Sequence, residues 1–363
     1  MFRPKSLLSF ILAFSSFSSS AWAQATFGAE FNFTNDLIDR TAQGSYVNSP
    51  ESEAARDRMM KAVRNACANC YIQAKENGYG VKTYRVTYPD GWYFDIATDP
   101  AVVEVQTKPS TVAEIKLYQD RIQKHIFDTA ASVDLLPASE IMGTHWAGSH
   151  IHIGAVSALG DGVAAVKLLK NFMVDFSNHP ELAMGIFSAD RANAPPLGML
   201  PQAQRDAFAQ ICADVDAGKI RSINTFARRV RKEVYNVTIM QDWAPSTKYQ
   251  AFNVNRIGDR AFDLLIQTFE IRAMRGQESS LDFLIQTELL EARIKHIQSL
   301  GKSIEVKIPN VYMSEEAKAE AFYKYVTETG LAFDPYVKFL TPAQRVFLPG
   351  IIARTPSLCR RIF

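Results

Sequence analysis

The 363-residue chain is poor in cysteine, with four in all, which is too few for a disulfide scaffold. No stretch approaches the roughly 20 consecutive apolar residues needed to cross a hydrocarbon layer, which excludes a stable membrane anchor. Charge of one sign is also missing. Forty bases stand against 38 acids, and Arg3 and Lys5 at the N-terminus account for the small surplus. A neutral chain lacks the cationic footprint that displaces counterions from phosphate, so nucleic acid is excluded as a general partner. There is no internal repeat and no linker long enough to separate domains. What is present is a 47% hydrophobic, 11% aromatic composition, ample for a large core and incompatible with a disordered or collagen-like chain.

The N-terminus reads as a bacterial-type signal peptide over residues 1–23. Arg3 and Lys5 form a basic region and 7–14 a short apolar one. Ala21-Trp22-Ala23 then places small residues for cleavage after Ala23 or Ala25. The expectation is an exported protein, periplasmic or secreted, or delivered into another cell. Export permits disulfides. Cys67 and Cys70 form a CxxC near a helix end, with no second CxxC to complete a zinc site and no preceding thioredoxin-like strand. A structural disulfide or two buried thiols fits better. Four cysteines allow three connectivities, including a Cys212–Cys359 pair.

The chain from 24 to 363 reads as one α+β domain with a mostly antiparallel sheet. Helical insertions occupy about 155–250, and a helical region closes the chain from about 279. Strands are expected at 27–33, 82–88, 92–97, 101–107, 149–154, 251–255 and 268–274, with Pro89-Asp90-Gly91 as a hairpin turn. Helices are expected at 51–77, 112–133, 159–177, 201–217, 221–235, 279–300 and 314–329.

Several of these strands carry polar residues two apart. Glu30-Phe31-Asn32, His150-Ile151-His152 and Glu270-Ile271-Arg272 each place two polar side chains on one face and an apolar one on the other. Asp95 and Glu104 repeat the pattern. A charge among hydrophobic strand residues is costly unless paired or bound to metal. If the strands share a sheet, carboxylates and imidazoles converge, an oxygen-rich set that suits Mg²⁺ or Mn²⁺. Arg256, Arg272 and Arg275 are candidates to neutralise phosphate or carboxylate groups there. His125, His179 and His296 lack partners at ligand spacing and are expected in solvated or capping roles, whereas His145 precedes the His150 strand and is a candidate pocket residue. Gly160-Asp161-Gly162 reads as a turn before a helix.

The order of the motifs carries a resemblance. Gly28-Ala29-Glu30-Phe31-Asn32-Phe33 resembles the opening GxExE strand of the carboxylate–amine ligases of the glutamine synthetase fold. Glu104-Val105-Gln106-Thr107-Lys108-Pro109 resembles their acidic strand followed by proline, and 148–154 their HxH strand. Lys248-Tyr249 through Asn253-Val254-Asn255-Arg256, then 268–272, is similar to the ending of the bacterial amidoligases. The resemblance spans roughly residues 27 to 276. It implies a curved sheet with the site on its concave face and helices packed on the other. It implies ATP and Mg²⁺ or Mn²⁺ as cofactors, and small-molecule, peptide or protein carboxylates and amines as substrates. Glu30, His150 and Glu270 would hold the metal bridging nucleotide phosphates, and Asp95 and Glu104 the metal nearer the acceptor. His152, Arg272, Arg275 and Asn255 would contact the nucleotide, with Arg272, Arg256 and Glu270 as the catalytic set. Chemistry would run through an acyl phosphate to an amide. Where the family has its second glutamate this chain has Asn32, removing one unit of negative charge. A non-catalytic binding protein on the same scaffold and a metal-dependent hydrolase are the alternatives.

Overall fold

The computed structural model describes residues 24–38, 49–76, 80–99, 102–138, 149–186, 194–236, 247–258, 266–309 and 311–355. Residues 1–23, where a signal peptide is expected, His145 and Cys359 lie outside the described residues.

Strand β1, Thr26–Thr34, organises the molecule. Its odd residues Phe27, Ala29, Phe31 and Phe33 are buried on one face, while Glu30 and Asn32 point to the other, as a period of two requires. Around it lie β2 (Tyr71–Glu76), β3 (Lys82–Thr87), β4 (Tyr93–Asp99), β5 (Val102–Thr107), β8 (His150–Gly154), β9 (Phe252–Asn253) and β10 (Thr268–Ile271). The order across the sheet is β2-β3-β4-β5-β1-β8-β10-β9, and the two-residue strands β6 (Ser110–Thr111) and β7 (Leu136–Pro137) also pair with β1. Every described pairing is antiparallel. The protein is therefore α+β with an open ten-stranded sheet.

Helices cover the apolar face. Helix α1, Pro50–Ala66, starts where Ser49 accepts a hydrogen bond from the Ser52 amide, and it turns Met59, Met60 and Val63 into the core. Short helical turns over 112–131 supply Phe127, whose ring lies 5.0 Å from Phe31. Helix α2, Gly162–Ser177, sets Phe172 against Phe252 and Phe269, whose rings stack 5.5 Å apart across β9 and β10. Beyond α3, Gln202–Asp216, the 20-residue helix α4, Ser280–Ser299, brings Phe283 to within 5.3 Å of Phe31. A buried Arg293–Asp175 pair joins α4 to α2, and its guanidinium lies 4.1 Å over Tyr325 of α5, Glu315–Thr327. Two-pronged ionic contact of this kind fixes the rotation of one helix against another.

The expected helix 51–77 is corrected: α1 ends at Ala66, and 71–76 is edge strand β2. Cys67 accepts the role of C-cap and is disulfide-bonded to Cys70, closing a tight turn that sends the chain back as a strand. Sequence periodicity missed β2 because it is an outer strand exposed on both faces, so it shows no alternation. At the 88–92 hairpin Gly91 sits at φ +79°, a conformation that favours glycine, while Tyr88 and Trp92 close the turn. Cys212 is buried on α3 and has no disulfide partner among the described residues; desolvation raises its thiol pKa to about 12. No described helix is long and apolar enough to cross a membrane.

Candidate metal centre

Strand order brings together residues that lie far apart in the chain. Glu30 stands opposite His150 across the β1–β8 ladder, and Glu270 stands opposite His152 across β8–β10. The i, i+2 spacing then puts Glu30, His150, His152, Glu270 and Arg272 on the polar face, behind which the Phe and Ile residues of the same strands form the core. His150 Nδ1 lies 2.7 Å from Glu30 Oε2 and 3.1 Å from Glu270 Oε1. One ligand atom from each of Glu30, His150 and Glu270 falls within 4.8 Å of the others. Glu30 is 8% exposed and Glu270 5%.

Neighbouring groups hold this cluster in place. Arg272 Nη1 donates to Glu270 Oε1 at 2.8 Å and lies 3.4 Å from His150 Nδ1. The Asn253 amide donates to Glu270 Oε2 at 2.8 Å while its own oxygen accepts from the Asn255 backbone. Arg256 Nη2 reaches 3.5 Å from Glu30 Oε1, and Thr268 Oγ1 is 3.2 Å from His152 Nδ1. Burial works against both acids, yet Glu30 is held well below the usual carboxylate range by attraction to His152, 2.9 Å away, and by its hydrogen bond with His150. Glu270 is lowered for the same kind of reason: Arg272, then the two imidazoles, overcome its desolvation. Burial, then repulsion from Arg272, lowers His150 against the pull of the two glutamates, keeping its ring neutral.

Two ionised carboxylates and a neutral imidazole form a donor set suited to a divalent cation of the Mg²⁺ or Mn²⁺ kind. A second observation fits a ligand here. His152 Nε2, 2.9 Å from Glu30 Oε1 but too oblique to donate to it, makes no hydrogen bond among the described residues. Neither does Arg272 Nε nor Asn255 Oδ1, although all three atoms are buried. Buried polar atoms left unsatisfied are rare, and several around one cluster call for a bound group or water.

The remaining expected site residues divide. Arg256 reaches the centre as described above, whereas Asn255 meets it only through its backbone N–H on Asn253. Glu104, opposite Asn32 in the β1–β5 ladder, adjoins it, and Gln106 donates to its carboxylate. Asp95 is on the same face but is not brought to the triad. Arg85 binds both its oxygens, at 2.9 and 2.8 Å, and Lys75 binds Oδ2 at 2.8 Å. Arg275 also stays apart, bonded to Glu278 at 2.6 Å. The sequence reading passed over Asn253 and Gln106 as site groups. Both carry the same signal as the others, a polar residue two positions from another in a strand.

Glu104 differs in charge from its neighbours. Burial, and then the negative charges of Glu30 and Asp99, push its pKa well above the usual carboxylate value, opposed by Gln106 and Lys248. A carboxyl raised in this way adds stability below its unfolded pKa of about 4.3, and that contribution is lost as pH rises through the folded value. Glu104→Gln, neutral at every pH, is therefore expected to unfold several degrees above the native protein at pH 8.5 and within a degree of it at pH 4.5. Thermal unfolding in EDTA checks this, and a constant difference across pH would refute it.

No protein-family model matches the chain, and no curated protein matches it.

Proposed function

We propose that the protein is an exported, ATP- and divalent-metal-dependent carboxylate–amine ligase of the glutamine synthetase fold, nearest in kind to the amidoligases. The observation that supports this reading most is the meeting of Glu30, His150 and Glu270 with Arg272 on one buried polar sheet face. These are the residues to which the resemblance assigns metal and phosphoryl contacts. In this reading a substrate carboxylate accepts the terminal phosphoryl group of ATP, and an amine then displaces phosphate to leave an amide. A bound Mg²⁺ or Mn²⁺ would supply positive charge for the phosphoryl oxygens.

The chain's own groups have separable tasks. Glu30, His150 and Glu270 would hold the ion, and Asn253 fixes the carboxylate plane of Glu270 from behind. Arg272 is buried and rigidly bonded, suited to a fixed positive field. Arg256 is nearly half exposed and reaches toward Glu30 from the solvent side, suited to meeting phosphate as it enters. Two observations favour a second reading, a binding protein without turnover: Asn32 is neutral, and Asp95 is committed to Arg85 and Lys75. That leaves one acidic triad where the resemblance implies more than one metal.

Titration of the mature protein separates the two. The ligase reading expects one equivalent of Mn²⁺, metal-dependent ATP binding in calorimetry, and ADP release only when a carboxylate and an amine are both supplied. No nucleotide binding at millimolar Mg-ATP would sink it. An amino acid or small anion bound without nucleotide, with no ADP formed, would support the second reading.

A further inference from the structure

The polar face continues past the metal centre toward the open edge of the sheet. Ladder partners run Gln73–Arg85–Asp95–Gln106–Glu30–His150, one row crossing β2, β3, β4, β5, β1 and β8. The row is buried at the Glu30 end and opens to solvent at the other, where the Arg85 and Lys75 side chains are each 35% exposed. At that end two cations, Lys75 and Arg85, both bind the carboxylate of Asp95. Arg85 also lies 3.9 Å over the Tyr93 ring, with Lys108 Nζ 6.0 Å from the same ring.

Asp95 is over-neutralised. Its Oδ2 receives both Arg85 Nη2 and Lys75 Nζ at 2.8 Å, and Lys75 spends only one of its three N–H donors there. One acid thus orders two cations and leaves net positive charge on an accessible surface, the arrangement that recognises a carboxylate. Two inter-strand steps separate Asp95 from Glu30, about 10 Å at the usual strand spacing. That is the reach of roughly three residues of extended chain.

We propose that the substrate whose carboxylate is activated at the metal centre is an acidic peptide, and that Arg85 and Lys75 hold a second carboxylate of it. The inference rests on the ligase reading for the fate of the first carboxylate. The second-carboxylate subsite stands on the Arg85–Lys75–Asp95 geometry alone. Asp95 is then a positioning residue for two cations and not a metal ligand.

Fluorescence anisotropy with labelled triglutamate and its neutral counterpart triglutamine, without nucleotide, tests the subsite. The native protein is expected to prefer triglutamate by tenfold or more. The Lys75→Gln, Arg85→Gln double variant is expected to lose that preference, and Lys75→Arg to keep it. Circular dichroism of each variant verifies folding. Equal affinity of the native protein for the two peptides overturns the proposal, as does a folded double variant that still prefers triglutamate. ATP turnover on single amino acids with no preference for the acidic peptide would overturn this inference and leave the ligase reading intact. Preferred triglutamate binding with no ATP turnover under any condition would do the reverse, removing the ligase and keeping the subsite.

Discussion

Glu30→Gln is expected to lower Mn²⁺ affinity by a hundredfold or more and to abolish any ATP turnover. Glu30 is the hub of the centre: Oε2 faces His150, and Oε1 faces both His152 and Arg256. The amide has the same shape, so the strand and its core face are undisturbed. It removes one of the two negative charges in the donor set and replaces one ligand oxygen by an N–H₂ that cannot bind a cation. Loss of a group that only supports a metal ligand costs roughly 10–100-fold in affinity, and loss of a charged ligand exceeds that. Calorimetric or paramagnetic-resonance titration with Mn²⁺ reads the effect directly. Unchanged affinity in a folded Glu30→Gln protein would place the ion elsewhere.

The second large effect concerns what neutralises Glu270 when no ion is bound. Arg272 is only 6% exposed, bonded to Glu270 Oε1 and lying 5.5 Å from the Tyr249 ring centre. The oxygen it holds is the one that faces His150 at 3.1 Å. Arg272 thus occupies the electrostatic role that a divalent cation would share. Arg272→Met keeps most of the apolar stem but leaves the Glu270 carboxylate buried without its guanidinium, with the Asn253 amide and the His150 ring as its closest remaining partners among the described residues. Removing one partner of a buried pair costs about 3–5 kcal/mol, and that loss is expected in EDTA. Added Mn²⁺ at about 100 times its dissociation constant returns about 2.7 kcal/mol by mass action. The variant is expected to gain more from Mn²⁺ than the native protein, because the ion also relieves an uncompensated acid. Denaturant unfolding with EDTA and with Mn²⁺ measures both quantities. An equal metal-induced gain in the two proteins would mean that Arg272 and the ion do not act on the same charge.

Glu104→Gln and Glu30→Gln make the same chemical change on the neighbouring strands β5 and β1 and are expected to act in opposite directions. Glu104 is a buried acid driven toward its neutral form, so the amide relieves a cost at high pH. Glu30 is a buried acid held ionised by two imidazoles, so the amide removes an attraction. Proximity to a charged centre alone does not predict either result; the sign follows from which neighbour is nearest.

The parity of each polar strand residue was legible before any coordinates. Glu30 and Asn32, His150 and His152, Glu270 and Arg272 alternate with Phe and Ile, and a strand has no choice but to send the two sets to opposite faces. The α+β class and the long helices α2 and α4 followed in the same way from periodicity carried within a single segment. Beyond that reach stood the order of strands. Only the tertiary fold sets β5, β1, β8 and β10 side by side, so that residues 30, 150 and 270 meet. It also places Asp95 two ladders away, beside Arg85 and Lys75, and turns Arg275 toward Glu278. Which face a side chain takes is decided by the backbone of its own strand, within a few residues. Which charge it meets there is decided by non-local pairing, and that partner determines whether a carboxylate binds a cation from the protein, a metal ion or a proton.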